Sequence, residues 1–76
     1  MNLQSAFGGT VRKLRLERNL TLRQLSSKAW TSIGHMSDIE RSVKQPSFEM
    51  LSLLVLAMDL SHEEFLTEVI EYIKES

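Results

Sequence analysis

Three side-chain types that do chemistry in hydrolases stand close together, at His35, Ser37 and Asp38. A serine nucleophile needs a base for its proton and an acid that orients the base, the three converging on one point. These positions fall within one turn of one helix and cannot orient each other in that way. His35 and His62 are the only histidines and there is no cysteine. A zinc site needs more ligands than these two supply. Gly8-Gly9-Thr10 has no strand pattern before it and no Gly-Lys-Ser/Thr after it, so it is not a phosphate loop. The expectation is no enzyme, no metal and no cofactor. Without cysteine there is no disulfide framework either.

The charged side chains are more informative. Nine Lys and Arg face ten Asp and Glu, a formal net charge of −1 on 76 residues. As an average, that argues against a polyanionic partner. The average conceals a partition at Pro46. Residues 1–46 hold the bases Arg12, Lys13, Arg15, Arg18, Arg23, Lys28, Arg41 and Lys44 against Glu17, Asp38 and Glu40, a balance of +5. Residues 47–76 hold Lys74 against Glu49, Asp59, Glu63, Glu64, Glu68, Glu71 and Glu75, a balance of −6. Such asymmetry points to nucleic acid at the basic end. Solvated helix faces also carry charge without any partner, and asymmetry alone leaves both readings open.

The elements that must position these residues are helical. Leu3, Phe7, Val11 and Leu14 recur on one face of a first helix ending near Arg18, with Gly8 and Gly9 weakening its first turns. Thr21 and Gln24 form a capping box that opens a second helix, with Leu22, Leu25 and Ala29 inward. Ser32 caps a third, in which Met36 and Ile39 face the core. Ser47, after Pro46, caps a fourth with Phe48, Leu51, Leu54, Val55 and Met58 apolar, widened by Leu53, Leu56 and Ala57. This most apolar stretch is expected at the centre of the core. Ser61 and Glu64 form a second capping box and start a last helix, about residues 62–75. No period-2 alternation and no repeat appears. The fold class is all-α, one domain over residues 1–76. A chain this short buries only about 60% of its unfolded surface, so no second domain or built-in ligand sensor is expected. No apolar run reaches the roughly 18 residues of a membrane span, and the N-terminus lacks a signal-peptide pattern. A soluble cytoplasmic protein follows.

Two short helices, about 22–29 and 33–41, joined by a tight turn are the geometry of a helix-turn-helix. The residues in and around them resemble the Cro/repressor-type proteins, also called the lambda-repressor-like or XRE family. Phe7-Gly8-x-x-Val11-Arg12-x-Leu14-Arg15 is similar to the family's first helix. Leu20-Thr21-Leu22-Arg23-Gln24-Leu25 is similar to the start of its second, with Lys28-Ala29 and Ser32 flanking the turn. Met36-Ser37-x-Ile39-Glu40-Arg41 resembles the third, and Pro46-Ser47 with Leu51 to Leu60 the fourth. The chain departs from the pattern at Leu22, where a Gln often contacts the DNA backbone, and at Trp30 and Ser42, where Gly is common.

The resemblance implies a compact five-helix bundle whose helix-turn-helix, about residues 21–41, lays its third helix in the DNA major groove. Carried over residue by residue, base contacts fall to Ile33, Gly34, Ser37 and Asp38. Ile33 suits a thymine methyl, Ser37 several base edges, and Asp38 a cytosine amino group, while Gly34 lets the backbone approach. Phosphate contacts fall to Thr21, Arg23, Ser32, His35, Arg41 and Lys44. The resemblance also implies a structural ion pair between Arg15 and Glu40, so Arg15 is not a DNA contact.

Trp30 is read as a lid over the second and fourth helices, with a partner anchor as the rival reading. The last helix has an apolar stripe wider than a small core needs and an acidic opposite side. Phe65 and Leu66 are expected inward, with Val69, Ile70 and Ile73 toward a second copy. The expected function is a sequence-specific, homodimeric transcriptional regulator on double-stranded DNA, a small repressor or controller protein with a pseudo-palindromic operator. The alternative is a protein-binding module, antitoxin-like, holding a partner with its acidic last helix.

Overall fold

Each helix starts where a short polar side chain can take up a backbone N–H that the helix itself leaves free. The computed structural model describes all of residues 1–76 and contains five helices and no strand. They are α1 (Leu3–Glu17), α2 (Leu22–Lys28), α3 (Ile33–Glu40), α4 (Phe48–Ala57) and α5 (His62–Glu75). Asn2, Thr21, Ser32, Ser47 and Ser61 are their respective N-caps, each side chain accepting from the N–H three residues on. Thr21–Gln24 and Ser61–Glu64 are complete capping boxes, with the return bonds Thr21 N–H to Gln24 and Ser61 N–H to Glu64 both 2.8 Å. A cap of this kind is worth about 1 kcal/mol.

The first four helices end alike. Asn19, Trp30, Ser42 and Asp59 follow the helix caps with φ between 54° and 63°. In each case this left-handed residue donates to the carbonyl three back and the next residue to the carbonyl five back, as in Asn19 to Leu16 (3.0 Å) and Leu20 to Arg15 (3.1 Å). This is the Schellman ending, and glycine occupies none of the four positions.

α1 packs against α3 and α5, α2 against α3 and α4, and α4 against α5. The core they enclose is Ala6, Val11, Leu14, Leu25, Ala29, Met36, Ile39, Leu54, Val55, Met58, Phe65 and Val69. Phe7 meets Phe65 edge to face at 5.8 Å between ring centres. Buried Thr10 and Ser26 donate their hydroxyls to the carbonyls of Ala6 and Leu22, so neither is left unpaired. Arg18 reaches from the end of α1 to the Met58 carbonyl at 2.9 Å, satisfying the end of α4.

Three apolar expectations are corrected. Trp30 is 85% exposed and not a lid. It stands at the left-handed position of the turn, with φ 59°, and its side chain lies in solvent. Phe48 is 89% exposed. It is the first residue of α4, where a side chain leans back off the helix end with no preceding turn beneath it. There it edges a surface groove of about 350 Å³ that Leu3, Phe7 and Leu51 also line. Leu56 is exposed as well. At about 100° per residue it lies opposite Leu54, so α4 buries one face and not its whole circumference.

Candidate nucleic-acid interface

The turn between α2 and α3 is closed by backbone bonds. Trp30 N–H donates to Ser27 O (3.2 Å) and Thr31 N–H to Ser26 O (3.0 Å), after which Ser32 caps α3. Beneath α3, Met36 and Ile39 are fully buried. Its other side is open: Ile33 and Gly34 are exposed, with Ser37 and Asp38 half-buried. A Cβ at Gly34 would meet nothing within 4 Å, so a flat surface could approach this backbone closely. The four residues assigned to base contact thus line one outward strip of α3.

The cations expected around that strip are not all free. Arg41 donates from Nη2 to Asp38 Oδ1 at 2.7 Å and from Nε to Ser37 Oγ at 3.3 Å. Two base-contact residues and one phosphate-contact residue therefore form a single cluster. Asp38 also terminates the helix through its carbonyl, which accepts from Val43 N–H (2.9 Å) and Lys44 N–H (3.2 Å). Arg23 and Lys44 are exposed and make no ion pair. The hydroxyl oxygens of Thr21 and Ser32 are occupied as caps, accepting from Gln24 and His35 N–H. Their O–H hydrogens remain available to donate, which is the role a phosphate oxygen requires. His35 is half-buried beside this cap.

Behind the strip, Arg15 clamps α1 to the end of α3. It donates to Glu40 twice, at 2.7 Å from Nε and 3.0 Å from Nη2, and to Leu20 O at 2.9 Å from Nη1. The side chains are 11% and 5% exposed. The hydrogen bond to Glu40 holds the guanidinium pKa above its ordinary value against the opposing effect of burial. Leu22 packs against the core and offers no polar group. Ser42 is compensated for its left-handed backbone: its hydroxyl donates to Gln4 O (3.2 Å), and Gln4 Nε2 donates to Ser42 O (2.9 Å). Sequence reasoning missed this reciprocal pair, which joins α1 to the loop after α3 and has no short-range signal. The i,i+3 spacing of Asp38 and Arg41 could have revealed theirs.

On α5, the assignment of Val69 to an outward face is overturned. Val69 is 3% exposed and belongs to the core with Phe65. Leu66 takes its place outside, 50% exposed, with Ile70 at 52% and Ile73 at 41%. The helix carries two apolar stripes about 100° apart. Phe65, Val69 and Tyr72 point inward, while Leu66, Ile70 and Ile73 form the outer one. Lys13 on α1 reaches Glu75 at 3.2 Å and ties down the end of α5.

Two short helices with a closed turn, the second offering an outward strip over a buried one, define a helix-turn-helix protein. The helix-turn-helix family model matches residues 11–65, and the chain belongs to that family, of the XRE type. It is similar to the transcriptional regulator ClgR of Mycobacterium tuberculosis strain H37Rv, 38% identical over 58 residues that make up 76% of this chain and 52% of ClgR. The chain therefore spans about half the length of the curated relatives it matches. Among solved structures it resembles the clp gene regulator ClgR of C. glutamicum, with a TM-score of 0.85 and 31% identity over 93% of this chain and 92% of that one. It also resembles the restriction-modification controller protein C.Esp1396I as a tetramer in complex with its natural 35 base-pair operator. There the TM-score is 0.90 and the identity 26%, over 96% of each chain.

Proposed function

We propose that this chain is a sequence-specific DNA-binding transcriptional regulator that works as a homodimer, a small repressor or controller protein. The observation that carries the reading is the outward strip of α3, with Ile33, Gly34, Ser37 and Asp38 together above the buried Met36 and Ile39. A strip on one helix, flanked by Arg23, Arg41, Lys44 and two hydroxyl-capped helix starts, matches a major groove bordered by phosphates. Ile33 would meet a thymine methyl, Ser37 a base edge and Asp38 a cytosine amino group. No catalysis is assigned, and the place of action is the cytoplasm, where bacterial and phage DNA is read.

Dimerisation is assigned to Leu66, Ile70 and Ile73. A two-fold pair of such stripes would place two recognition helices on half-sites about 34 Å apart. The acidic face of α5 would stay clear of phosphate and leave the basic half turned toward it. The protein-binding alternative draws on the same exposed stripe, occupied by another protein instead of a second copy.

Two measurements separate these readings. Binding to random duplex DNA should weaken steeply with salt, the slope growing by about 0.9 per phosphate neutralised. A flat slope, or no binding at low salt, contradicts the regulator. Ile70→Glu should turn a dimer into a monomer by solution mass. A parent that is already a monomer, or a variant of unchanged mass, contradicts the α5 dimer.

A further inference from the structure

α1 is the helix that packs against both the recognition helix α3 and the C-terminal helix α5. It does so through two adjacent glycines. A Cβ at Gly8 would stand 2.6 Å from the Ile39 carbonyl oxygen, 2.6 Å from Ser42 Oγ and 3.0 Å from the Glu40 carbonyl oxygen. These are far inside van der Waals contact, and two of the three atoms are backbone. A Cβ at Gly9 would run into the hydroxyl and ring of Tyr72 on α5. Adjacent helix positions point about 100° apart. One turn of α1 is therefore held by the end of α3 on one side and by α5 on the other.

Further bonds lock the same region. Gln4 and Ser42 exchange hydrogen bonds at 2.9 Å and 3.2 Å, and Lys13 holds Glu75 at 3.2 Å. Glycine is the poorest helix former after proline, so two in succession inside α1 are a local weakness. The close approach of α3 and α5 gives each a physical reason.

We infer that Gly8, Gly9 and Tyr72 are positioning residues that fix the recognition helix relative to the α5 face, and so set the half-site spacing that the dimer accepts. The inference rests on the dimeric DNA-binding reading above. In a dimer joined through α5, each recognition helix is carried at a distance from the two-fold axis set by the chain of contacts α5 to α1 to α3. No residue of that chain need touch DNA to decide which spacing fits. The two glycines differ in what they control. A side chain at Gly8 displaces the backbone of α3, whereas one at Gly9 displaces only the Tyr72 ring. Gly9→Ala is therefore the milder probe, and Tyr72→Ala removes the brace without adding bulk.

The test uses the full chain and duplexes carrying its selected half-site. The half-site is presented singly, or as inverted pairs whose centre-to-centre separation is varied in one-base-pair steps around about 10 base pairs. The parent should show a sharp optimum. Gly9→Ala and Tyr72→Ala should remain dimers and bind the single half-site within about twofold of the parent. They should lose about tenfold of the preference for the parent's spacing, or move the optimum. If Gly9→Ala fails to fold, Tyr72→Ala decides the matter alone. A loss that is equal for single and paired half-sites, with the optimum unmoved, would mean a merely structural role and overturn the inference. A parent with no preferred spacing overturns the dimer reading and this inference with it. A sharp parental optimum that a folded variant keeps overturns this inference alone.

Discussion

Asp38 shows how a single residue can serve two opposite ends. A carboxylate facing DNA repels phosphate, yet here it is held by Arg41 at 2.7 Å, so the free recognition helix presents a pair and not a bare negative charge. Breaking that pair against random sequence brings no compensating base contact. Asp38→Asn removes both the repulsion and the hold on Arg41. It should strengthen binding to random duplex several-fold and steepen the salt slope by about one phosphate contact. Equal or weaker binding would contradict the placement of Asp38 toward DNA. Arg15 is the opposite case, a cation that belongs to the fold. Arg15→Ala would strand Glu40, 5% exposed, without its partner, and should destabilise the protein by about 3 kcal/mol in a denaturant titration. An effect near zero would mean that Glu40 finds water or another donor. The Arg15–Glu40 pair was legible only through the family resemblance. The Asp38–Arg41 pair lies in the i,i+3 spacing, but the expectation that each residue contacts DNA separately obscures it.

Among the elements, the helix starts were the most legible part of the fold. Thr21, Ser32, Ser47 and Ser61 announce themselves by type, Thr21 and Ser61 also by the Gln24 or Glu64 three residues on, and all four cap helices. Helix ends were less so, because four non-glycine residues take the left-handed position where glycine would have been the readable signal. Trp30 is the extreme case. Its apolarity suggests burial, yet it fills the left-handed position of the turn and its side chain is exposed. Trp30→Gly should relieve the left-handed strain and raise stability by about 1 kcal/mol, seen as a higher midpoint of thermal unfolding. A lower midpoint would mean that the exposed ring makes a stabilising contact. The Ser61–Glu64 box gives α5 a pH dependence. Bonds from the Ser61 backbone N–H and side chain hold the Glu64 pKa below its ordinary 4.5. The unfolded chain therefore binds that proton more readily. The stabilisation is fully present above 4.5 and is lost as the pH falls through the lowered folded value. Glu64→Gln keeps the capping geometry without the charge. It should flatten that part of the acid unfolding profile, and an unchanged profile would contradict the assignment.

For the whole molecule, the net charge of −1 is the least informative number, since it sums +5 over residues 1–46 and −6 over residues 47–76. The bundle and its helix-turn-helix were legible because apolar spacing and caps agree along the entire chain. The orientation of α5 was not. Two apolar stripes about 100° apart read equally well in either direction, and only packing against α1 and α4 put Val69 inside and left Leu66 outside. The resulting picture is an outward strip on α3 with the unpaired Arg23 and Lys44 exposed on α2 and in the loop after α3, and an exposed apolar stripe on α5. Selection of bound sequences from a random duplex pool decides whether the proposed regulator reads a two-fold operator. The selected pool should converge on an inverted repeat with half-site centres about one helical turn apart. Recovery of unrelated sequences, or of a single unpaired half-site, would contradict it.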